Sequence, residues 1–325
     1  MNARPRWARG PWPRALMVVL ATFALVLGAA AAAAAPGHPP ASRTASTTRT
    51  VRTASTARTA SAAGCNPFAS SLSPSGPPQV TAGSFMAKIR ARGFLIAGVD
   101  QSTYHFGFLS PLTGKIEGFD IDMIRAVADA IFGNPDKVEY KAISDAQRIP
   151  DILSGTVDIV AHTMTITCAR LQQVDFSSVY FDAAQRVLVL NNSRARSLDD
   201  LKGQKVCATS GSDSLTVISA HRAIPVAVPY WTDCLVLLQQ GDVAAISTDD
   251  SILDGLAAQD PWTKLIGPRL TDEPYGLAIS KQHPEFVRFV NAVLQQLRTN
   301  GQWAASYAHW VGPSVPAPPV AQYGG

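Results

Sequence analysis

Between residues 84 and 311 the apolar positions follow two rhythms in turn. "DIDMIRAVADAIFG" puts Ile121, Ile124, Val127, Ala128 and Ile131 on one helical face, and Gly133 stops the helix. Short apolar runs read instead as strands: "FLIAGVD" (94–100), "VEYKAI", "VDIVAHTM", "RVLVLNN" (186–192), "KVCATS", "VAAIST", "KLIG" and "YGLAIS". Helical patterns fall between and around them. They run from Ser84 to Arg92, over "AQRIPDILSG" to Gly155, from about Ser212, and through "DCLVLLQQG" and "SILDGLAAQ". Two more run from Glu285 to Thr299 and from Gln302 to Trp310. Strands alternating with helices over this length predict an α/β fold with parallel sheets and crossover helices. No tandem repeat is visible.

The ends of the chain break the rhythm. Arg4, Arg6, Arg9 and Arg14 precede an apolar run and seven alanines, Ala29 to Ala35. A basic start, an apolar middle and small residues at the end predict a secretory signal over 1–35. The apolar stretch 15–35 could also span a bilayer as an uncleaved anchor, but its alanine content favours cleavage. Residues 36–64 are almost all small or polar and are expected to be a disordered linker, since they lack the large side chains that offset ordering entropy. Residues 313–325 are expected to be a disordered tail. The folded body is expected between about Cys65 and Gly312.

Charge sharpens this division. Eight of the 28 basic residues, and none of the 24 acids, lie in residues 1–64. The body keeps 20 basic against 24 acidic side chains and is mildly acidic. That argues against nucleic acid as a partner. The six histidines show no metal-ligand spacing, so neither a metal nor a cofactor is expected. Cys65, Cys168, Cys207 and Cys234 are an even count in an exported chain, which suggests two disulfides among three possible pairings.

Three places carry chemistry suited to a small zwitterion. "TMTITCAR" (163–170) begins where a strand ends, the side of an open α/β sheet that binds ligands. Thr167 reads as a helix N-cap with Arg170 three residues on. Helix amides, threonine hydroxyls and a guanidinium fork there suit a carboxylate. Arg170 could equally pair with a surface acid. "TSGSDS" (209–214) is a second strand-to-helix turn whose amides could cap an anion. "STDDS" (247–251) is a third, where Asp249 or Asp250 could hold an ammonium. Asp250 is expected to serve as an ordinary helix cap.

With these motifs "EGFDIDMIRAVADAIFG", "QRIPDILSGTVDIVAHTMTITCARLQQVDFSSVYF", "LKGQKVCATSGSDS" and "GDVAAISTDDSIL" in this order, the chain resembles extracellular solute-binding protein family 3. These are the polar amino-acid-binding proteins of ABC importers. The likeness covers about 84–311 and is strongest to actinobacterial glutamate/glutamine-binding proteins. It implies a two-lobe periplasmic-binding-protein-like fold of type II, two parallel-rich sheets joined by two hinge strands. Lobe one would be 65–191 with a return over 271–312, and lobe two 192–270. Carried over by motif, Arg170 would take the ligand α-carboxylate, with the Thr165 and Ser212 amides assisting. Asp249 would take the ammonium with the Thr163 carbonyl and Thr165 hydroxyl. Arg148, in "QRIP", is the candidate for a distal carboxylate or amide, and Asp100 matches an acid used by amide- and cation-binding members. Tyr104, Phe106 or Trp231 could supply the aromatic wall that Thr103 lacks, and each could equally belong to the core.

The resemblance implies capture of a polar amino acid of the glutamate, glutamine, aspartate and asparagine class, and its delivery to a membrane permease, by a monomer outside the cytoplasmic membrane. A sensor subunit for a membrane signalling protein is a second reading. An enzyme on the same fold is a third, disfavoured because no catalytic constellation stands out. The two lobes also decide the cysteines. Pairings within lobes, Cys65–Cys168 and Cys207–Cys234, leave the hinge free. Cys65 follows "TASAAG" as a lipidated cysteine would, but lies too far behind the apolar run, so a lipid anchor is not expected.

Overall fold

The computed structural model describes residues 64–324. The expected signal segment and most of the linker lie outside the described residues. Helix α1 (Phe85–Arg92) is capped by the Ser84 side chain, which accepts from the Ala87 amide. Then follow β1 (Leu95–Val99), a small hairpin-like sheet of β2 (Ser102–Thr103), β3 (Gly107–Leu109) and β4 (Ile116–Glu117), and α2 (Phe119–Phe132). The α2 residues predicted to face the core are all buried there. Next come β5 (Val138–Ala142), α3 (Arg148–Leu153), β6 (Ile159–Ala161), the short α4 (Cys168–Leu171), β7 (Asp175–Phe176) and the long β8 (Phe181–Leu190). The second half adds β9 (Lys205–Thr209), α5 (Ser214–Ala220), β10 (Ile224–Val228), α6 (Trp231–Gln240), β11 (Ala245–Asp249) and α7 (Asp250–Gln259). It closes with β12 (Thr263–Ile266), β13 (Asp272–Tyr275), β14 (Ala278–Ile279), α8 (Pro284–Thr299) and α9 (Gln302–Trp310). Among the described residues no helix is long and apolar enough to cross a membrane.

Two sheets organise these elements. The first has the order β5-β1-β6-β14-β7, with β5, β1 and β6 parallel. Apolar clusters cover both of its faces, one around Phe119, Ile124 and Phe286, the other around Ile152, Val160 and Met164. The second has the order β10-β9-β11-β8-β12, with β10, β9 and β11 parallel. Its core gathers Leu188, Val206, Ile218, Leu235, Ile246 and Leu253.

Of the two passages between the sheets, the one at "DEPY" lies where the resemblance implies it and the first begins earlier. Only the apolar half of β8 was legible as a strand, but β8 begins at Phe181. Its first residues, Phe181 to Ala184, pair antiparallel with β13. From Gln185 onward it pairs with β11 in the second sheet. The crossing therefore lies inside β8, near Ala184–Gln185, just ahead of the "RVLVLNN" stretch where the resemblance implies it. β13 is the second crossing strand, bonded to the first.

The C-terminal segment also differs from the disordered tail expected over 313–325. Tyr323 forms a bridge with Ser71, and the Gly324 amide donates to the Ser71 carbonyl at 3.1 Å. Ser71 is itself fixed. Its hydroxyl donates to the Phe176 carbonyl and accepts from the Asn291 side chain, each at 2.7 Å. Both disulfides pair within a lobe, Cys65–Cys168 and Cys207–Cys234.

Candidate functional site

The chain leaves β6 at Ala161 and turns toward the second sheet. Thr163 takes φ +41°, a left-handed backbone that a β-branched residue rarely adopts. Asp120, from the start of α2, holds it there. One carboxylate oxygen accepts from the Thr163 amide and the other from the Tyr180 hydroxyl, both at 2.7 Å. Burial raises the Asp120 pKa to about 6, because those two bonds only partly offset the loss of water.

Four residues on, Thr167 caps α4 and accepts from the Arg170 amide at 3.2 Å. That cap aims the buried Arg170 guanidinium back along the turn. Nη1 donates to the Thr165 carbonyl at 2.7 Å. Nη2 reaches toward the other lobe, 3.4 Å from the Gly211 carbonyl and 3.5 Å from the Asp213 carboxylate. Both are long contacts, so this end of the fork is weakly engaged.

Arg148 differs. Nε donates to the Asp145 carbonyl at 3.0 Å, Nη1 to the His162 carbonyl at 3.2 Å, and Nη2 to the Gly211 carbonyl at 3.3 Å. Nη1 also lies 2.7 Å from the Asp145 carboxylate. Burial alone would raise the Asp145 pKa, but Arg148 above all outweighs it and holds Asp145 below its ordinary value. The Thr209 hydroxyl adds a further bond to Asp145 from across the cleft.

The opposite wall begins at Gly211, with φ +89°. A Cβ there would lie 2.7 Å from the Ala146 backbone, so only glycine permits this approach between the lobes. Asp249 ends β11, and one of its oxygens accepts from the Tyr275 hydroxyl at 2.6 Å. Burial first, then Glu273 and Asp213, raise the Asp249 pKa well above its ordinary value. Asp250 is not the helix cap expected of it, because Asp249 holds the cap position. It opens α7, and its carboxylate accepts from the Ala184 and Ser251 amides, each at 3.0 Å.

Arg148, Thr163, Thr165, Arg170, Ser212, Trp231 and Asp249 thus line one cavity, joined by Asp145, Asp213 and Thr248. The enclosed space is about 10 Å³, the room of one water molecule. An amino acid enters only if the walls part. Two buried polar atoms on these lining residues have no partner, Thr163 Oγ1 and Trp231 Nε1.

Three candidates are not brought to the cavity, Asp100, Tyr104 and Phe106, the last of them buried against Phe119 and Phe181 in the core. Asp100 is buried but committed to its own turn, where it accepts from the Gln101 and Ser102 amides and from the Ser102 and Thr103 hydroxyls. Tyr104 packs against His105 at a tilt and against Phe108 edge-on instead, and its carbonyl abuts Gly255 of α7. The Ser212 amide, expected to face a ligand, donates to the Thr209 carbonyl at 3.2 Å. Sequence reasoning missed Asp120, Asp145, Asp213 and Glu273. Only Asp145 carried a local signal, its spacing of three from Arg148.

Residues 95–313 match the family described as bacterial extracellular solute-binding proteins, family 3. The chain belongs to that family. The ABC transporter glutamine-binding protein GlnH of Bacillus subtilis is 36% identical over 229 residues, covering 70% of this chain and 84% of that protein. A solved ancestral arginine-binding protein bound to glutamine is 34% identical with a TM-score of 0.64, covering 68% of this chain and 99% of its own. The ancestral amino acid-binding protein AncCDT-1, described as a precursor of cyclohexadienyl dehydratase, is 31% identical with a TM-score of 0.65, covering 70% and 99%. The fold of this family member is the two-lobe type II fold, with its candidate site between the lobes.

Proposed function

We propose that this family member captures glutamine outside the cytoplasmic membrane and passes it to the permease of an ABC importer. The observation that carries the reading is the pairing of one under-engaged cation, Arg170, with one buried acid on the opposite wall, Asp249. An α-amino acid has a carboxylate for the first and an ammonium for the second. Each lobe holds one end, so closing on the ligand stabilises the closed form through contacts that the open form lacks.

The side chain is assigned by what Arg148 has left to offer. Of its five N–H groups, four point at partners already in place, and its charge is offset by Asp145. One remaining donor suits an amide oxygen. A second carboxylate would add charge to a site where Asp145, Asp213 and Asp249 already outnumber Arg148 and Arg170. The unpartnered Thr163 hydroxyl and Trp231 N–H add neutral polar contacts. The glutamine named for GlnH and for the ancestral arginine-binding protein supports the same choice.

Calorimetry of the purified protein against glutamine, glutamate, asparagine, aspartate and arginine tests this. Glutamine should bind at least tenfold tighter than glutamate. Equal or tighter binding of glutamate would overturn the amide assignment, and no binding of any of them would overturn the whole reading. AncCDT-1 motivates one further check: turnover of a cyclic dienol substrate would move the chain to the enzymes on this fold.

A further inference from the structure

One buried acid beside the cleft has no part in the arrangement above. Glu273 sits in the middle of β13, the second crossing strand, and is 4% exposed. One of its oxygens accepts from the Thr271 hydroxyl at 2.5 Å. The other, Oε2, is buried without a partner. The charged groups nearest Glu273 are Arg170 from α4 and Asp213 from the start of α5, with Thr165 beside them. Asp249, at the end of β11, is in turn raised by Glu273. Glu273 therefore acts through its charge on Arg170 and Asp249, the two ends of the proposed recognition pair, without lining the cavity.

A buried carboxylate with an unpartnered oxygen and two acid neighbours is costly, whereas a neutral acid in the same place is not. An ionised Glu273 would also do harm in two ways. It would compete with a ligand carboxylate for Arg170, and it would hold a proton on Asp249, which needs its charge to take an ammonium. Resting on the reading above, we propose that Glu273 is a positioning residue of the binding site and that its protonated form is the binding-competent one. One proton then serves the two acids. It stays on Glu273, so that Asp249 ionises toward the ammonium and Arg170 stays available for the carboxylate. In keeping with this geometry, burial first and Asp213 second push the Glu273 pKa up to about 7. The pair titrates as a unit, with two limbs in affinity. Acid weakens binding by protonating Asp249, and alkali weakens it by removing the proton from Glu273.

The test is the pH profile of glutamine affinity in the full-length protein and in Glu273→Gln, which imitates the neutral acid. In the natural protein, affinity should fall by up to about tenfold between pH 6.5 and 8, since a form that binds only when protonated loses affinity as pH passes the free pKa. In Glu273→Gln the alkaline fall should shrink below about twofold while the acid limb remains, a pattern that loss of packing alone does not produce. Calorimetry of the natural protein at pH 7.5 in phosphate and in Tris gives the proton count directly and does not depend on the variant folding. Fractional proton uptake on binding is expected, from the molecules whose acid pair has lost its last proton at that pH, while a proton that only moves from Asp249 to Glu273 adds nothing to the count. Flat affinity with no buffer dependence, or an alkaline limb that survives in a folded Glu273→Gln, overturns the proposal while leaving glutamine binding intact. No binding at any pH overturns the binding reading itself, and the proposal with it.

Discussion

The two lobes contribute opposite things to the cleft. On lobe one, Arg148 is matched in charge by Asp145 and has one donor left over, so that wall presents one spare cation, Arg170. On lobe two and the crossing strand the charge is acidic, from Asp213 and Asp249 in the cavity wall and from Glu273 behind it. In the closed form the spare cation leans on lobe two by contacts of 3.4 and 3.5 Å. A zwitterion satisfies both walls better than they satisfy each other. Such walls select for a ligand with separated charges, and any change to one wall should show which half of the ligand it reads.

The lobes are also stapled differently, and breaking the staples should give the largest effects. Cys65–Cys168 closes a loop of 103 residues between two exposed positions, while Cys207–Cys234 closes 27 between fully buried ones. Chain entropy alone assigns about 4.7 kcal/mol to the first and about 3.5 kcal/mol to the second. Replacing both cysteines of the first by serine should cost up to that amount in urea unfolding. Replacing the second pair by alanine should cost its smaller entropic share plus lost packing. In the native protein a mild reductant followed by alkylation should label Cys65 and Cys168 first, because attack needs access. Earlier labelling of Cys207 and Cys234 would mean that lobe two opens more readily than its core implies.

For the cleft, Arg170→Ala should have the strongest effect. It strips lobe one of its spare charge and leaves a ligand carboxylate unpaired in a desolvated site. The expected loss is about 3 kcal/mol or more, on the order of 100-fold in Kd. Affinity within threefold of the natural protein would move the carboxylate site elsewhere. Asp249→Asn tests the other wall. It keeps an acceptor for the Tyr275 hydroxyl but removes the charge, for an expected loss of about 2 kcal/mol, roughly 30-fold. Glutamine titrations read both.

Legibility in the sequence followed distance along the chain. The Thr167–Arg170 cap, the strand end at Asp249 and the buried face of α2 depend on neighbours within a turn or two, and periodicity exposes such neighbours. Asp120 serves Thr163 and Tyr180, which lie 43 and 60 positions away, and no local pattern announces that. Glu273 gains its meaning from Thr165 and Arg170 in the same way. Asp100 misled because an acid just after a strand also caps its own turn, and here four donors within three residues claim it. β8 was half legible because "FDAAQ" lacks the apolar density of "RVLVL". Its first residues cross between lobes instead of lying in a sheet core.

The smallest expected effect is the most specific. If Arg148 fails to favour a carboxylate only because Asp145 neutralises it, then Asp145→Asn should release that charge without emptying the site. Asparagine keeps an oxygen for the Thr209 hydroxyl and nearly the same volume, and the Arg148 contacts to the His162 and Gly211 carbonyls need no change. One negative charge is removed from the lobe-one wall, and a ligand carboxylate can stand in for it. The ratio of glutamate to glutamine affinity should rise by about three- to tenfold, equivalent to about 0.7–1.4 kcal/mol, with glutamine itself little affected. Parallel titrations of the two ligands read the ratio, and arginine serves as a control that should weaken as the acid is lost. An unchanged ratio would mean that the amide preference comes from Trp231 and Thr163 rather than from the Arg148–Asp145 pair. The division of labour between the walls would then have to be redrawn around neutral contacts.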